Sequence, residues 1–302
     1  MTNAQTGAGM ALSNAIADAV ERAGQFTALV NARRRLPVSG VLYAGDLILT
    51  ADHGVEREED IQIVLPDGSE RAATLVGRDR GTDLALLRLN SAAGGSVAQP
   101  GSDDARVGNL VVAVGRPSTE SIQASLGMVI ALGGGLRTRH GGMIEHYLVS
   151  DAVLYPGFSG GPLVDLAGGL LGINTSRLVR GMSPAIPARL AWEVAQNLAQ
   201  HGHVKRGYLG IRSQVVEIPA QAREQAGGRQ TGLLLVGIED DGPSASGLMV
   251  GDILVGLNNQ PVSDHDTLLS ALVGDIVGCS TEAQVLRGGQ LQRVNVTVGE
   301  RS

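Results

Sequence analysis

Tyr155-Pro156-Gly157-Phe158-Ser159-Gly160-Gly161-Pro162-Leu163 is the stretch from which the rest of the chain can be understood. It sets one hydroxyl, Ser159, among four residues that shape backbone: Pro156, Gly157, Gly160 and Gly161. Glycines let successive amides turn toward one point without Cβ clashes. A serine hydroxyl is a poor nucleophile at neutral pH, and needs a general base and donors aimed at the oxyanion it creates. Alone, the stretch is equally an ordinary glycine-rich turn. It also satisfies G-x-S-x-G, the strand-to-helix turn of α/β-hydrolases. That turn requires a helix directly after the serine. Here Gly160-Gly161-Pro162 breaks a helix, and the short apolar run Leu163-Val164 follows.

Outward from this point the texture is β. Phe26–Val30, Gly40–Tyr43, Asp46–Thr50 and Ile61–Leu65 are short apolar runs divided by turn residues. Pro66-Asp67-Gly68 turns the chain and Arg71–Gly77 returns as a hairpin. Asp83–Leu89, Leu110–Val114, Ser125–Ala131, Tyr147–Ser150 and Leu170–Asn174 continue the pattern. Closely spaced strands with frequent turns predict an antiparallel barrel or sandwich. Gly133-Gly134-Gly135 is read as part of a long mobile loop reaching His140, Gly141 and Gly142. Leu12, Ile16, Val20 and Ala23 predict a helix over 10–23, capped by Ser13 or Asn14. A second helix is expected over 187–200, stopped by Gly202. His201–Arg206 reads as a linker. After it, the strands Tyr208–Val215, Gly232–Ile238 and Asp252–Leu257, the helix Asp264–Val273 and the hairpin Ser280–Val298 predict a small α+β module. The division is a helical segment 1–24, a first domain 25–203 and a second 207–300.

Composition narrows the function classes. The chain has 302 residues, 43% hydrophobic and 18% charged, with a formal net charge of −6. Lys205 is the only lysine and there is no basic block, so no nucleic-acid partner is expected. Cys279 is the only cysteine, which excludes an intrachain disulfide and a cysteine-rich metal site. No apolar run reaches the length of a membrane span. The first 24 residues lack a basic start and a continuous apolar core, so a cytoplasmic location is expected. His201 and His203 pair in the linker without a third ligand nearby, so no metal or other cofactor is expected.

Nucleophilic catalysis by Ser159 requires a histidine to move its proton and a carboxylate to hold the imidazole. His53 ends the run Leu49-Thr50-Ala51-Asp52-His53, at the mouth of a strand. Asp83 opens the strand Leu84–Leu89, and its rival Asp79 reads as a solvated residue in a charged turn. Asp151 reads as a structural turn residue. The order His53, Asp83, Ser159 is that of a chymotrypsin-type barrel, whereas α/β-hydrolases place the serine first.

Leu49–His53, Leu75–Leu87, Tyr155–Leu163 and Gly172-Ile173-Asn174-Thr175 stand in the order of the motifs of the HtrA/Deg family of trypsin-like serine proteases, which the chain resembles. Ser183–Pro187 resembles the segment before that family's last protease helix. Gly207–Ile211, Ser244–Leu248 and Gly251–Leu254 resemble its PDZ domain. The resemblance implies a mainly β protein: a double β-barrel protease domain followed by a PDZ domain. It implies ATP-independent cleavage of unfolded or damaged proteins by His53, Asp83 and Ser159, in a homotrimer. The amides of Gly157 and Ser159 would bind the oxyanion, with Phe158 as a third donor. Asn174, Thr175 and Ser176 would line the substrate pocket. No acidic residue falls there, so a small aliphatic side chain is expected in preference to Arg or Lys. Tyr208, Leu209, Gly210 and Ile211 would hold the carboxylate of a peptide C-terminus, which adds as a strand. Gly54 stands where the family has valine directly after the histidine, and Phe158 where it has a small polar residue. Gly54 keeps a second reading open, that of an inactive barrel serving as a peptide-binding scaffold or chaperone.

Overall fold

The computed structural model of the chain describes residues 2–101, 105–137, 143–177, 184–203, 207–240, 242–245, 247–272 and 276–300. The chain divides into two compact units, residues 1–204 and 205–302. His140, Gly141, Gly142, Ser183 and Val273, named above, lie outside the described residues.

The first unit opens with helix α1, Thr2–Gly24. It starts well before the expected position, so Ser13 and Asn14 lie inside it and cap nothing. Ala19 and Ala23 are buried, Ile16 and Val20 pack on the core, and residues 7–14 are exposed. Six strands then close a barrel: β1 Thr27–Asn31, β2 Val38–Ala44, β3 Leu47–Ala51, β4 Ile61–Val64, β5 Glu70–Asp79 and β6 Leu84–Leu89. Their order around the barrel is β1-β2-β3-β6-β5-β4. The first barrel's interior is aliphatic, with Leu42, Ile48, Leu49, Ile63, Leu84 and Leu86 fully buried.

A second barrel follows from β7 Leu110–Gly115, β8 Gln123–Arg137, β9 Met143–Ser150, β10 Pro162–Val164, β11 Leu170–Asn174 and β12 Pro184–Pro187, in the order β10-β11-β12-β9-β8-β7. The expected loop at Gly133-Gly134 is in fact strand: Gly133 pairs with Tyr147 and Gly134 with His146. Glycine serves close approach here, because a Cβ on Gly133 would lie 2.5 Å from the Tyr147 ring. Helix α2, Ala188–His201, closes the unit, and Gly202 ends it with φ 75° and its N–H donating to Leu198 O at 2.9 Å.

The second unit comprises β13 Gly207–Tyr208, β14 Ile211–Glu217, α3 Ala220–Arg223, β15 Thr231–Ile238, β16 Ile253–Leu257, β17 Gln260–Pro261, α4 His265–Ala271, β18 Ser280–Arg287, β19 Gln290–Thr297 and β20 Gly299–Glu300. The expected strand Tyr208–Val215 is broken at Leu209-Gly210, where Gly210 takes φ 66°. The main sheet runs β14-β15-β16-β18-β19, so β14 is its edge. Helix α4 begins with a reciprocal cap: Asp264 accepts from Thr267 N at 2.8 Å, and Asp264 N donates to Thr267 Oγ1 at 3.1 Å. Leu233, Leu235, Leu254, Leu257, Leu268 and Val285 form the unit's core.

Candidate active site

His53 lies in a single 3₁₀ turn, Asp52–Gly54, directly after β3. Its Nδ1 is 2.7 Å from Asp83 Oδ2, and its backbone N–H donates to Asp83 Oδ1 at 3.0 Å. One carboxylate therefore fixes both the ring and the backbone of the histidine. Thr175 Oγ1 donates to Asp83 Oδ2 at 2.5 Å, a charge-assisted bond in a buried setting. Asp83 itself takes φ +60°, a left-handed conformation that aspartate tolerates better than most residues.

Asp79 is what makes that conformation possible. It is buried, and it accepts from Gly81 N at 3.1 Å, Thr82 N at 3.3 Å and Thr82 Oγ1 at 2.7 Å. The expectation of a solvated Asp79 is thus corrected. These bonds shape the turn between β5 and β6, and the turn delivers Asp83 to His53.

Gly54 does not displace the histidine. A Cβ on Gly54 would meet Val38 Cγ2 at 2.5 Å, so Val38 fills the space a larger residue would need. Arg78 secures the same turn from β5, with Nη1 3.3 Å from Asp52 Oδ1 and Nη2 3.3 Å from Glu58 Oε1. Burial, aided by the neighbouring Asp83 charge, pushes the Asp52 carboxyl above its ordinary range despite Arg78.

Ser159 follows a tight turn in which Phe158 N donates to Tyr155 O at 3.0 Å. Pro156 takes the second position, and Gly157 the third with φ +94°, which makes a type II turn. The Gly157 N–H stands outside the turn's hydrogen bond. The Phe158 N–H is consumed by it, so Phe158 is not the free third donor expected above. The Phe158 ring is fully buried among Val111, Ala113 and Leu163, and packs edge-on to Tyr155 at 5.6 Å. Gly115 makes room for it, since a Cβ there would lie 2.7 Å from the ring.

The serine loop is tied from both barrels. From β2, Ser39 Oγ donates to Gly157 O at 2.7 Å and Ser39 N to Ser159 O at 3.0 Å. From β11, Asn174 N bonds Gly161 O at 2.8 Å, Asn174 Nδ2 bonds Pro162 O at 2.8 Å, and Asn174 O accepts from Gly160 N at 2.8 Å. Asn174 is 2% exposed and Thr175 0%, and their side chains bond Pro162 O and Asp83 Oδ2 within the site. Ser176 is exposed, and its Oγ lies 3.2 Å from Ser159 Oγ. Ser39 went unnoticed in the sequence; its trace there is a lone hydroxyl inside the apolar run Val38–Leu42.

In the second unit Tyr208 pairs with Gly299, Leu209 is buried with its carbonyl accepting from Ser244 Oγ, and Ile211 begins the edge strand β14. Glu239 N donates to Gly210 O at 2.8 Å, which steadies the loop.

Residues 38–173 match the family described as a trypsin-like peptidase domain, and residues 207–298 the PDZ domain family. Among solved structures, the HtrA-type protease AlgW with tripeptide superposes with a TM-score of 0.79 at 33% identity, covering 95% of this chain and 97% of that one. This chain belongs to the HtrA-type proteases. Two curated HtrA relatives agree. A probable periplasmic serine endoprotease DegP-like from Halomonas elongata is 34% identical over 279 residues, 89% of this chain and 57% of the relative. The periplasmic pH-dependent serine endoprotease DegQ of Escherichia coli K12 is 33% identical over 257 residues, 83% of this chain and 56% of the relative. The chain thus spans little more than half the length of these relatives. Both carry periplasmic names, which overturns the cytoplasmic location expected above. Among the described residues, no helix is long and apolar enough to cross a membrane.

Proposed function

We propose that this chain is an ATP-independent serine endopeptidase that cleaves unfolded or damaged proteins. The observation that carries the reading is the His53 Nδ1–Asp83 Oδ2 contact of 2.7 Å, beside a serine loop tied from both barrels. Ser159 Oγ attacks the peptide carbonyl. His53 takes its proton and returns it to the leaving amine. Asp83, held by Thr175, keeps the imidazole in the required tautomer and stabilises its charged form. The Gly157 and Ser159 amides receive the oxyanion.

The second unit is read as a binder of peptide C-termini. An incoming peptide extends the sheet at β14, and the backbone of Tyr208–Ile211 takes its carboxylate. The assembly follows the family resemblance, a homotrimer, and is tested by the mass of the full chain in solution.

The experiment is casein hydrolysis by the wild type and by Ser159→Ala. The variant should lose at least about three orders of magnitude, leaving only what the oxyanion donors and binding provide. Equal hydrolysis by the two proteins would sink the assignment. An inactive scaffold predicts a folded wild type that neither cleaves casein nor reacts with a fluorophosphonate at Ser159. The formed His53–Asp83 pair favours the enzyme, because Gly54 was the reason to doubt it.

A further inference from the structure

The hydroxyl of Ser159 already has a partner. Ser176 Oγ lies 3.2 Å away, and either oxygen can be the donor. If Ser159 donates, its proton points at Ser176 and not at the imidazole that must take it, and the contact has to open before the first bond forms. If Ser176 donates, it holds one of the two lone pairs of the attacking oxygen and withdraws density from it. In either arrangement the contact lowers the reactivity of Ser159 at rest.

The neighbours of Ser176 explain why it can play this part. Asn174 is locked to the serine loop and Thr175 to Asp83, so the backbone that carries Ser176 is fixed on the scale of the site. Ser176 itself is exposed, the first residue after β11 that an incoming chain can reach. The geometry points to Ser176 as a positioning residue that holds the Ser159 hydroxyl at rest and yields it when an acyl group enters. This rests on Ser159 being the nucleophile. Ser176 makes and breaks no covalent bond, and it acts only through Ser159. A residue that merely lined the substrate pocket would affect peptide binding and leave the intrinsic reactivity of Ser159 alone.

The test measures the second-order rate at which a small fluorophosphonate, with no peptide portion, labels the full-length chain. Loss of one hydrogen bond to the hydroxyl should let Ser176→Ala label Ser159 about three- to tenfold faster than wild type. Ser176→Thr restores a hydroxyl and should bring the rate back down. With casein, the alanine variant should gain in kcat more than it changes KM. Ser176 is exposed, so alanine removes one surface oxygen, and a thermal melt checks that the fold is kept. A rate for Ser176→Ala equal to or below wild type, in folded protein, overturns the proposal. Ser159→Ala separates the two levels of the argument. Label persisting in that variant, or no label on wild type and Ser176→Ala alike, overturns the nucleophile itself, and the role of Ser176 falls with it.

Discussion

Asp83 concentrates the chemistry of the site in one carboxylate. It sits at φ +60°, a conformation that costs on the order of 1–3 kcal/mol and persists only where the surroundings enforce it. Its Oδ2 accepts from both His53 and Thr175, and its Oδ1 from the His53 amide. Thr175→Val keeps the shape and removes one donor. A hydrogen bond to a charged group contributes about 1.5–3 kcal/mol, so kcat/KM should fall about 10- to 150-fold while the fold is retained. Steady-state peptidase kinetics with a melting curve check this; unaltered kcat/KM would remove Thr175 from the site. Gly54 and Val38 make a second residue-scale test. Gly54→Ala forces a Cβ to within 2.5 Å of Val38 and should cost about 1–3 kcal/mol by overpacking. Adding Val38→Ala should recover part of that loss, with a coupling of about 0.5–3 kcal/mol in urea unfolding. Strict additivity would mean that the two residues do not share the space.

At the scale of elements, α2 and β5 approach closely enough that only glycine fits between them. A Cβ on Gly77 would lie 1.9 Å from Gly202 O, a backbone atom that cannot swing aside. Gly77→Ala should therefore cost on the order of 3 kcal/mol in denaturant unfolding, more than a typical surface substitution. The elements also show what the sequence could reveal. The strands, α2 with its Gly202 stop, and α4 with its Asp264 cap are local signals, carried by period, cap and turn residues. His53 and Asp83 stood out for the same reason, since one follows β3 and the other precedes β6, and the structure brings the two together. Roles that depend on contacts between distant segments were not readable. Ser39 reaches Gly157 across 118 residues and Thr175 reaches Asp83 across 92, and no spacing rule records such pairs. Asp79 was misread because two backbone amides and the Thr82 hydroxyl bind it, and the sequence does not display which neighbours a turn folds onto a carboxylate. The glycine run at 133–135 was misread because glycine marks both loops and close approach, and only the Tyr147 ring opposite Gly133 distinguishes them.

Over the whole molecule, each unit encloses its own aliphatic core, and among the described residues Asp52 is a carboxyl raised by burial. Burial holds its carboxyl above the ordinary range, so the folded chain favours the protonated form. The stabilising contribution is therefore present below the unfolded-state pKa and is lost as pH rises through the folded value. Asp52→Asn is neutral at every pH. Its melting temperature relative to wild type should move in the variant's favour between about pH 4 and pH 7. A difference that stays flat, or that moves the other way, would mean that Arg78 outweighs burial.

The serine loop is sewn to one barrel by Ser39 and to the other by Asn174. Ser159 consequently reports the separation of the two barrels, as a feeler blade reports a gap. Peptidase activity should thus disappear on heating at a lower temperature than the β-sheet signal in circular dichroism. The position of Ser159 is set by how two intact halves meet, and not by either half alone.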